Sequence, residues 1–287
     1  LSRDEKLLRL QETPNVLHES FKLITPNDKG DWINRRGDEF DNFIPLAPER
    51  KFDGAAQSFF VVNSTGVSTA RDAWAYNFSR SELETNIRTT IDYYNTHEPT
   101  EIDPTKFVWT DLSKANKNRK REYKFNAAQI VESFYRPFCK SNLYFDNALN
   151  ERRGQMAEFF PSGNEENLLI CVTLADEGKF SPLITNKITN LHFNGDTQCF
   201  PLYYYERGAQ GNLFGESLER RDGITDFIWN RAKLLYGGDV SKEDIFYYVY
   251  GFLHLPSYRE KFSAELKKSL PRIILSDKFW ELSRAGR

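Results

Sequence analysis

Gly66-Val67-Ser68-Thr69-Ala70-Arg71-Asp72-Ala73-Trp74-Ala75-Tyr76 is a polar loop set between apolar stretches. Phe59-Phe60-Val61-Val62 precedes it as a run of strand formers, and Ala73–Ser81 leads from strand to helix. A glycine, two hydroxyls and an arginine therefore crowd into one connection between buried elements, the place where scaffolds carry binding groups. The donors of Thr69 and Arg71 suit phosphates and base edges, since an arginine fork makes two bonds to guanine. Two accounts stay open here. Either Gly66 permits a turn and Arg71 pairs with Asp72 or another carboxylate, or Thr69 and Arg71 reach a nucleic acid.

Outward from the loop the pattern is rich in strands. Ser58–Asn63 and Ala73–Phe78 predict two of them. Ser81–Asn95 predicts a helix, with Ser81 and Glu84 as a capping box and Leu83, Ile87, Ile91 and Tyr94 on one face. Lys106–Thr110, Ala127–Phe138, Asn142–Phe145, Asn167–Leu174, Lys187–Phe193 and Gln198–Tyr205 are aromatic and β-branched runs that also predict strands. Turn residues punctuate them, as at Pro161-Ser162-Gly163-Asn164 and Asn194-Gly195-Asp196. Glu151-Arg152-Arg153-Gly154 predicts a helix end, and His192 an ordinary strand residue. Upstream, residues 1–12 predict a charged helix and His18–Ile24 a strand. Thr25–Lys51 predicts a long ordered connection anchored by Trp32 and Phe40.

Downstream of a glycine-bearing linker, Arg207–Arg221, everything predicts helix. Thr225–Tyr236 closes at Gly237-Gly238, Ser241–Leu255 is capped by Ser241 with Asp244, and Ser257–Leu270 stops at Pro271. Ser276–Arg284 is a short last helix. Asp244–His254 is too aromatic for a free surface helix and predicts a buried brace, with Gly251 allowing close packing. Strands in the middle and helices at the end define an α+β fold. Its expected parts are a linker or helical entry over 1–50, a mixed or antiparallel β-rich region over 51–206, and a C-terminal helical bundle over 207–287.

Length and charge bound the function. The chain has 287 residues, enough for one large domain or two tightly packed ones. Lys and Arg number 39 against 41 Asp and Glu, so the chain is not basic overall; phosphate binding needs only a local basic face. Cys139, Cys171 and Cys199 are far apart in apolar runs with no C-x-x-C pair, which predicts reduced thiols in a cytosolic protein. His18, His97, His192 and His254 have no metal-ligand spacing. No apolar run approaches the roughly 18–20 residues of a membrane span. The chain opens at Leu1 and its only methionine is Met156, which predicts a piece of a longer polypeptide. There is no G-x-x-x-x-G-K-[ST], G-x-G-x-x-G or G-x-S-x-G motif. The Asn-Pro-Pro-aromatic or Asp-Pro-Pro-aromatic clamp of amino-methyltransferases is also missing. No catalytic residue, metal ligand or cofactor site is expected in this chain.

Binding residues are easier to nominate. Ser113–Lys124 holds six cations, among them Lys117, Arg119, Lys120 and Arg121, against one carboxylate. It is either a solvated face or a phosphate-contacting arm in which Asn116, Asn118 and Tyr123 add donors. Tyr135-Arg136-Pro137-Phe138-Cys139-Lys140 alternates rings with cations. Core packing with snorkelling charges accounts for it, and Arg136 and Lys140 are also placed to face a groove.

Taken in order, several segments resemble the C-terminal specificity region of type ISP restriction–modification enzymes. They are Gly66–Phe78, Phe134–Phe145, Gln198–Tyr204, Asp222–Phe227 and Asp244–Pro271, then Leu270-Pro271-Arg272-Ile273, Phe279-Trp280 and Ser283–Arg287. The resemblance runs from about Asp31 to the end. It implies a target-recognition domain that binds double-stranded DNA beside an upstream adenine N6-methyltransferase, in a polypeptide that also carries nuclease and helicase-like ATPase parts. S-adenosylmethionine, ATP and Mg2+ would then belong to upstream domains. The resemblance does not identify the base-reading positions. A protein-interaction domain that docks on the methyltransferase without reading bases is the competing account.

Overall fold

Successive residues of one strand, Leu169-Ile170-Cys171-Val172, enter two different cores by turns. That alternation, one face per residue, stacks the layers of this molecule. The computed structural model describes residues 2–12, 24–33, 36–173, 180–208 and 218–287. They divide into two compact units, Leu1–Gly37 and Asp38–Arg287.

In the first unit α1 (Arg3–Gln11) begins with a reciprocal cap: Glu5 N donates to Ser2 Oγ (3.2 Å) and Ser2 N to Glu5 Oε2 (2.6 Å). Asp31 is buried and takes a bond from Arg36 Nε (2.9 Å). Trp32, expected as an anchor, is 60% exposed. The expected strand His18–Ile24 lies outside the described residues except for Ile24.

The second unit runs β1 (Ile44–Pro45), β2 (Ser64–Thr65), α2 (Asp72–Ala75), β3 (Tyr76–Asn77), α3 (Arg80–Thr96), α4 (Asp111–Asn118), β4 (Ile130–Arg136), β5 (Cys139–Tyr144) and α5 (Met156–Phe159). It continues with β6 (Leu169–Thr173), β7 (Pro182–Thr185), β8 (Ile188–Thr189), β9 (Thr197–Pro201), β10 (Tyr203–Arg207), β11 (Leu218–Asp222), α6 (Asp226–Tyr236), α7 (Lys242–Leu253), α8 (Pro256–Lys261), β12 (Arg272–Ile273) and α9 (Phe279–Gly286). Two four-stranded sheets form the centre, in the orders β2-β9-β6-β7 and β3-β5-β4-β8. All their pairings are antiparallel except β4 with β8, so the fold is α+β with mixed and antiparallel sheets.

Ile170, Val172 and Phe200 on one face of the first sheet pack against Ile228, Ile245, Phe246, Val249 and Phe279 of the C-terminal helices. Leu169, Cys171 and Cys199 on its other face join Val131, Leu143 and Ile188 of the second sheet. Ile130 and Tyr144 leave the far side of that second sheet to meet Leu83, Ile87, Ile91 and Tyr94 of α3. The aromatic stretch of α7 is the brace expected of it. Gly251 is where α9 closes on it: a Cβ there would lie 2.2 Å from the Leu282 carbonyl oxygen.

Several expected elements are shorter or displaced, for local reasons. Ala73–Phe78 is a turn of helix and then two strand residues, because Trp74 N and Ala75 N bond back to Arg71 O (3.0 and 3.1 Å) and alanine favours helix. Residues 58–63 form only an isolated bridge, Phe60 with Ile224, and their amides divide among Pro45, Leu46 and Gly223 instead of forming one ladder. Lys106–Thr110 is irregular, with Phe107 buried and Thr110 spent as the cap of α4. Helix α3 starts earlier than expected, because Ser79 accepts from Glu82 N and leaves Glu84 to pair with Arg88 (2.7 Å). The expected cap Ser241 is present, and Thr225, expected as the first residue of its helix, is that helix's cap. The expected linker holds β11, which pairs with β10; its residues 209–217 lie outside the described ones. Residues 38–50 also pack on the C-terminal part, β1 pairing with β12.

Cys171 and Cys199 face each other across β6 and β9 with sulfurs 3.5 Å apart, both fully buried. Burial, with Cys199 adding to it, pushes the Cys171 thiol well above its usual range. Thiolate is the reactive form. In the folded chain a thiol reagent should therefore label Cys139, which is partly exposed, and reach all three only in denaturant. Two fast-reacting thiols in the native state would contradict this packing.

Candidate nucleic-acid interface

The loop Gly66–Tyr76 is held by close backbone contact with the chain after β8. Val67 N donates to Thr189 O (2.8 Å), and Leu191 N returns a bond to Val67 O (2.7 Å). Gly66 serves this approach and not a left-handed turn: a Cβ there would lie 2.3 Å from Asn190 O and 2.7 Å from Leu191 N. Ala70 takes the left-handed conformation (φ 56°). Ser68 exchanges backbone bonds with Arg152 (2.8 and 2.9 Å), which brings an exposed cation beside the loop.

Asn190 ties the loop to the second sheet. Its Oδ1 accepts from Arg136 NH1 (3.0 Å) and His192 N (2.9 Å), and its Nδ2 donates to Asp72 Oδ2 (3.3 Å). Asp72 Oδ1 in turn accepts from the Thr69 hydroxyl. A cleft of about 260 Å3 opens between Ser68–Asp72 and Asn190–His192. Exposed His192 pairs with Asp196 (2.9 Å) at its edge.

Thr69 and Arg71 sit inside this arrangement. Thr69 is 0% exposed, and its Oγ1 also accepts from Arg71 N (3.1 Å). Arg71 is 5% exposed: its NH2 donates to Thr110 Oγ1 (3.0 Å), and the guanidinium lies 4.8 Å from the centre of the Phe107 ring. Its Nε and NH1 find no acceptor. Desolvation lowers the Arg71 pKa, against the pull of Tyr123 and Glu151. Both side chains were expected to reach DNA; their exposure and bonds make them internal parts of the loop. A buried guanidinium with idle donors contributes little to stability. Arg71→Met should therefore keep stability within about 1 kcal/mol or raise it, while Arg71→Ala, which opens a cavity under Phe107, should lose about 2 kcal/mol. Urea titration checks both; a loss beyond 2 kcal/mol in Arg71→Met would contradict the geometry.

The remaining candidates divide between two places. At the β4–β5 hairpin, Arg136 lies over the Tyr135 ring (4.0 Å) and bonds Asn190. Exposed Lys140 pairs with Glu132 (3.4 Å), which also takes Lys187 (3.7 Å). Pro137 then Phe138 (φ 60°) turn the hairpin, a proline followed by a left-handed residue as in a type II turn. Glycine holds that position without strain; for phenylalanine it costs about 1–2 kcal/mol. The Phe138 ring is 91% exposed.

The basic run forms α4 and its exit. Lys117 bonds Tyr94 O (2.9 Å) and Asn95 O (3.1 Å), closing the C-terminus of α3. Asn116 and Tyr123, expected donors to DNA, are buried and bonded to each other (3.0 Å). Arg119, Lys120 and Arg121 are exposed. The Arg71–Thr110 bond joins the start of α4 to the loop. Arg152, expected at a helix end, instead forms a bridge with Ser68, and His192, expected in a strand, lies in a turn; neither they nor Asn190 were nominated for binding, and the only hint was the Arg152-Arg153 pair before a glycine.

A loop, a cleft and exposed Arg152 thus meet at one end of the sheets. The Type ISP C-terminal specificity domain model matches residues 58–287, and the chain belongs to that family. No curated protein matches it. Among solved structures it is similar to the DrdV–DNA complex seen by cryo-electron microscopy, with 31% identity and a TM-score of 0.84 over 99% of this chain. It is similar to a nuclease-deletion mutant of the Type ISP restriction-modification enzyme LlaGI in complex with a DNA substrate mimic, with 31% identity and TM-score 0.82 over 100% of the chain. It is similar also to LlaBIII, an ATP-dependent Type ISP restriction-modification enzyme bound to DNA, with 30% identity and TM-score 0.82 over 93%. It spans 28%, 22% and 18% of those chains. Among the described residues no helix is long and apolar enough to cross a membrane, and no three His, Cys, Asp or Glu side chains could hold a metal ion together.

Proposed function

We propose that this chain reads a sequence in duplex DNA and presents it to an adenine methyltransferase upstream in the same polypeptide. The observation that carries the reading is the meeting of Arg136, bonded to Asn190, and Arg152, paired with Ser68, at one cleft in a chain of the type ISP specificity family. Exposed lysine and arginine displace counterions condensed on phosphates, and groups in the cleft face what those phosphates position. Arg119, Lys120 and Arg121 extend the basic track. Thr69, Arg71 and Lys117 support it from within, the first two by shaping the loop and the third by closing α3. Residues 51–206 carry the recognition region and 207–287, with β11 and β12 among its helices, brace it; of the expected entry over 1–50, residues 38–50 belong to the larger unit through β1 and β12, which leaves 1–37 as the entry from the methyltransferase.

The chemistry belongs upstream. There the methyltransferase would flip an adenine and methylate N6 with S-adenosylmethionine. ATP and Mg2+ would serve translocation and cleavage at unmethylated sites. This chain has no motif for any of these groups, and its own part is binding and positioning. Such a module works where chromosome and invading DNA are found, in the cytoplasm of a bacterium or archaeon.

A second reading, docking onto the methyltransferase, is favoured by Leu234 and Leu235 on α6, which are 88% and 58% exposed. It accompanies DNA reading unless bases are not read at all. Titrating random-sequence duplex at several salt concentrations separates the two. DNA reading predicts binding that weakens steeply with salt. Absence of binding at low salt leaves only docking.

A further inference from the structure

Phe138 combines two features that a chain folding only for itself would avoid. Its backbone is left-handed at a hairpin position where glycine fits freely, and its ring is the most exposed large apolar side chain among the described residues, at 91%. Among the described residues no other ring packs on it. We propose that Phe138 is a wedge that stacks into a base step of the bound duplex, a role that rests on the DNA-reading function proposed above.

The hairpin is built to hold such a ring. Strands β4 and β5 pair from Ile130↔Tyr144 to Arg136↔Cys139, so two residues close the turn. Pro137 fixes one of those two backbones. Arg136 is anchored to Asn190, which ties the hairpin to the cleft. On the neighbouring strand, Asn77 pairs with Asn142, and Asn142 Nδ2 donates to Phe78 O (3.0 Å). That places Phe78, a second exposed ring, toward the same end of the sheet.

The surroundings identify the occupant. A protein partner would be met by contiguous apolar surface, but Phe138 is flanked by cations. Arg136 and Lys140 lie two residues to either side of it in the chain, while Lys140 and, further along the sheet, Lys187 pair with Glu132 (3.4 and 3.7 Å). A ring within a cationic fringe suits a polyanion with flat apolar faces between its charges, which describes the base steps of a duplex. Insertion opens a step and kinks the helix. Flexible pyrimidine–purine steps open most easily, so the wedge would impose preference at a step whose base edges it never touches.

The test uses the intact protein and duplexes it selects from a random pool, with 2-aminopurine placed at each position in turn. The expected result is a several-fold fluorescence rise at one step on binding. Phe138→Gly should abolish that rise and weaken binding about tenfold. Its melting temperature should hold or increase, and its salt slope should not change, because no phosphate contact is lost. Phe138→Trp should keep the signal. If the wild type binds but no position brightens, or if Phe138→Gly brightens like the wild type, the wedge is refuted while DNA reading stands. A lower melting temperature in Phe138→Gly would show that the ring serves the fold, and also overturns the proposal. If the wild type binds no duplex, DNA reading itself fails and the wedge with it.

Discussion

Replacing Gly66 by alanine should destabilise the chain by about 2–3 kcal/mol and abolish cleft-dependent binding. The new Cβ would meet only backbone: Asn190 O at 2.3 Å, Asn190 C at 2.5 Å and Leu191 N at 2.7 Å. A side chain could swing aside, but here two chain segments must separate. Separation breaks the bonds from Val67 N to Thr189 O and from Leu191 N to Val67 O. It also pulls Asp72 from Asn190, and so loosens the hold of Asn190 on Arg136. Gly54→Ala is the control, because a Cβ there meets nothing within 4 Å, and it should be close to neutral. Chemical unfolding of both variants decides the point. Full stability in Gly66→Ala would mean that loop and strand end are not locked together.

The second large effect is on affinity. Lys140→Gln with Arg152→Gln should lower the slope of log K against log salt by about 2, and Arg119, Lys120 and Arg121 changed together to Gln by about 3. Each set should weaken binding on the order of 10²-fold at 0.1 M salt, evenly across sequences, since phosphate contacts carry no sequence information. These side chains are exposed and their loss should leave folding intact. The control is Lys117→Gln: it uncaps α3, so it should lower stability and leave the salt slope nearly unchanged. An unchanged slope in the Arg119–Arg121 variant would remove that arm from the interface.

Periodicity and caps made most helices legible, although the helix expected over Ser257–Leu270 ends at Lys261 and gives way to turns. Ser241 with Asp244 announces its helix by spacing alone and caps as expected, and the helix expected from Thr225 begins one residue later with Thr225 as its cap. The strand-rich middle and helical end were equally plain. The fine structure around the loop was not, because it depends on partners distant in sequence. Ser58–Asn63 looks like a ladder strand, yet its amides go to Pro45, Leu46 and Gly223. Nothing near Gly66 in sequence shows that Asn190 will crowd it.

The candidate site divided along the same line. A lone arginine in a polar loop reads as a free donor, and only the tertiary placement of Phe107 and Thr110 turns Arg71 inward. Lys117 and Arg119 look alike in a basic run; the helix phase sends one onto the end of α3 and leaves the other in water. Exposure of Phe138 was hidden too, since rings alternating with cations suit a core strand with snorkelling charges equally well. Family motifs identify the kind of module without identifying its reading residues.

The central claim is that this chain distinguishes DNA sequences. Repeated selection of bound duplexes from a random pool, followed by sequencing, tests it most directly. The account predicts one enriched asymmetric motif of several base pairs, lost from the pool selected by Gly66→Ala. A bound pool with the composition of the input would contradict it, and would leave a chain that holds DNA or its neighbouring domain without reading a sequence.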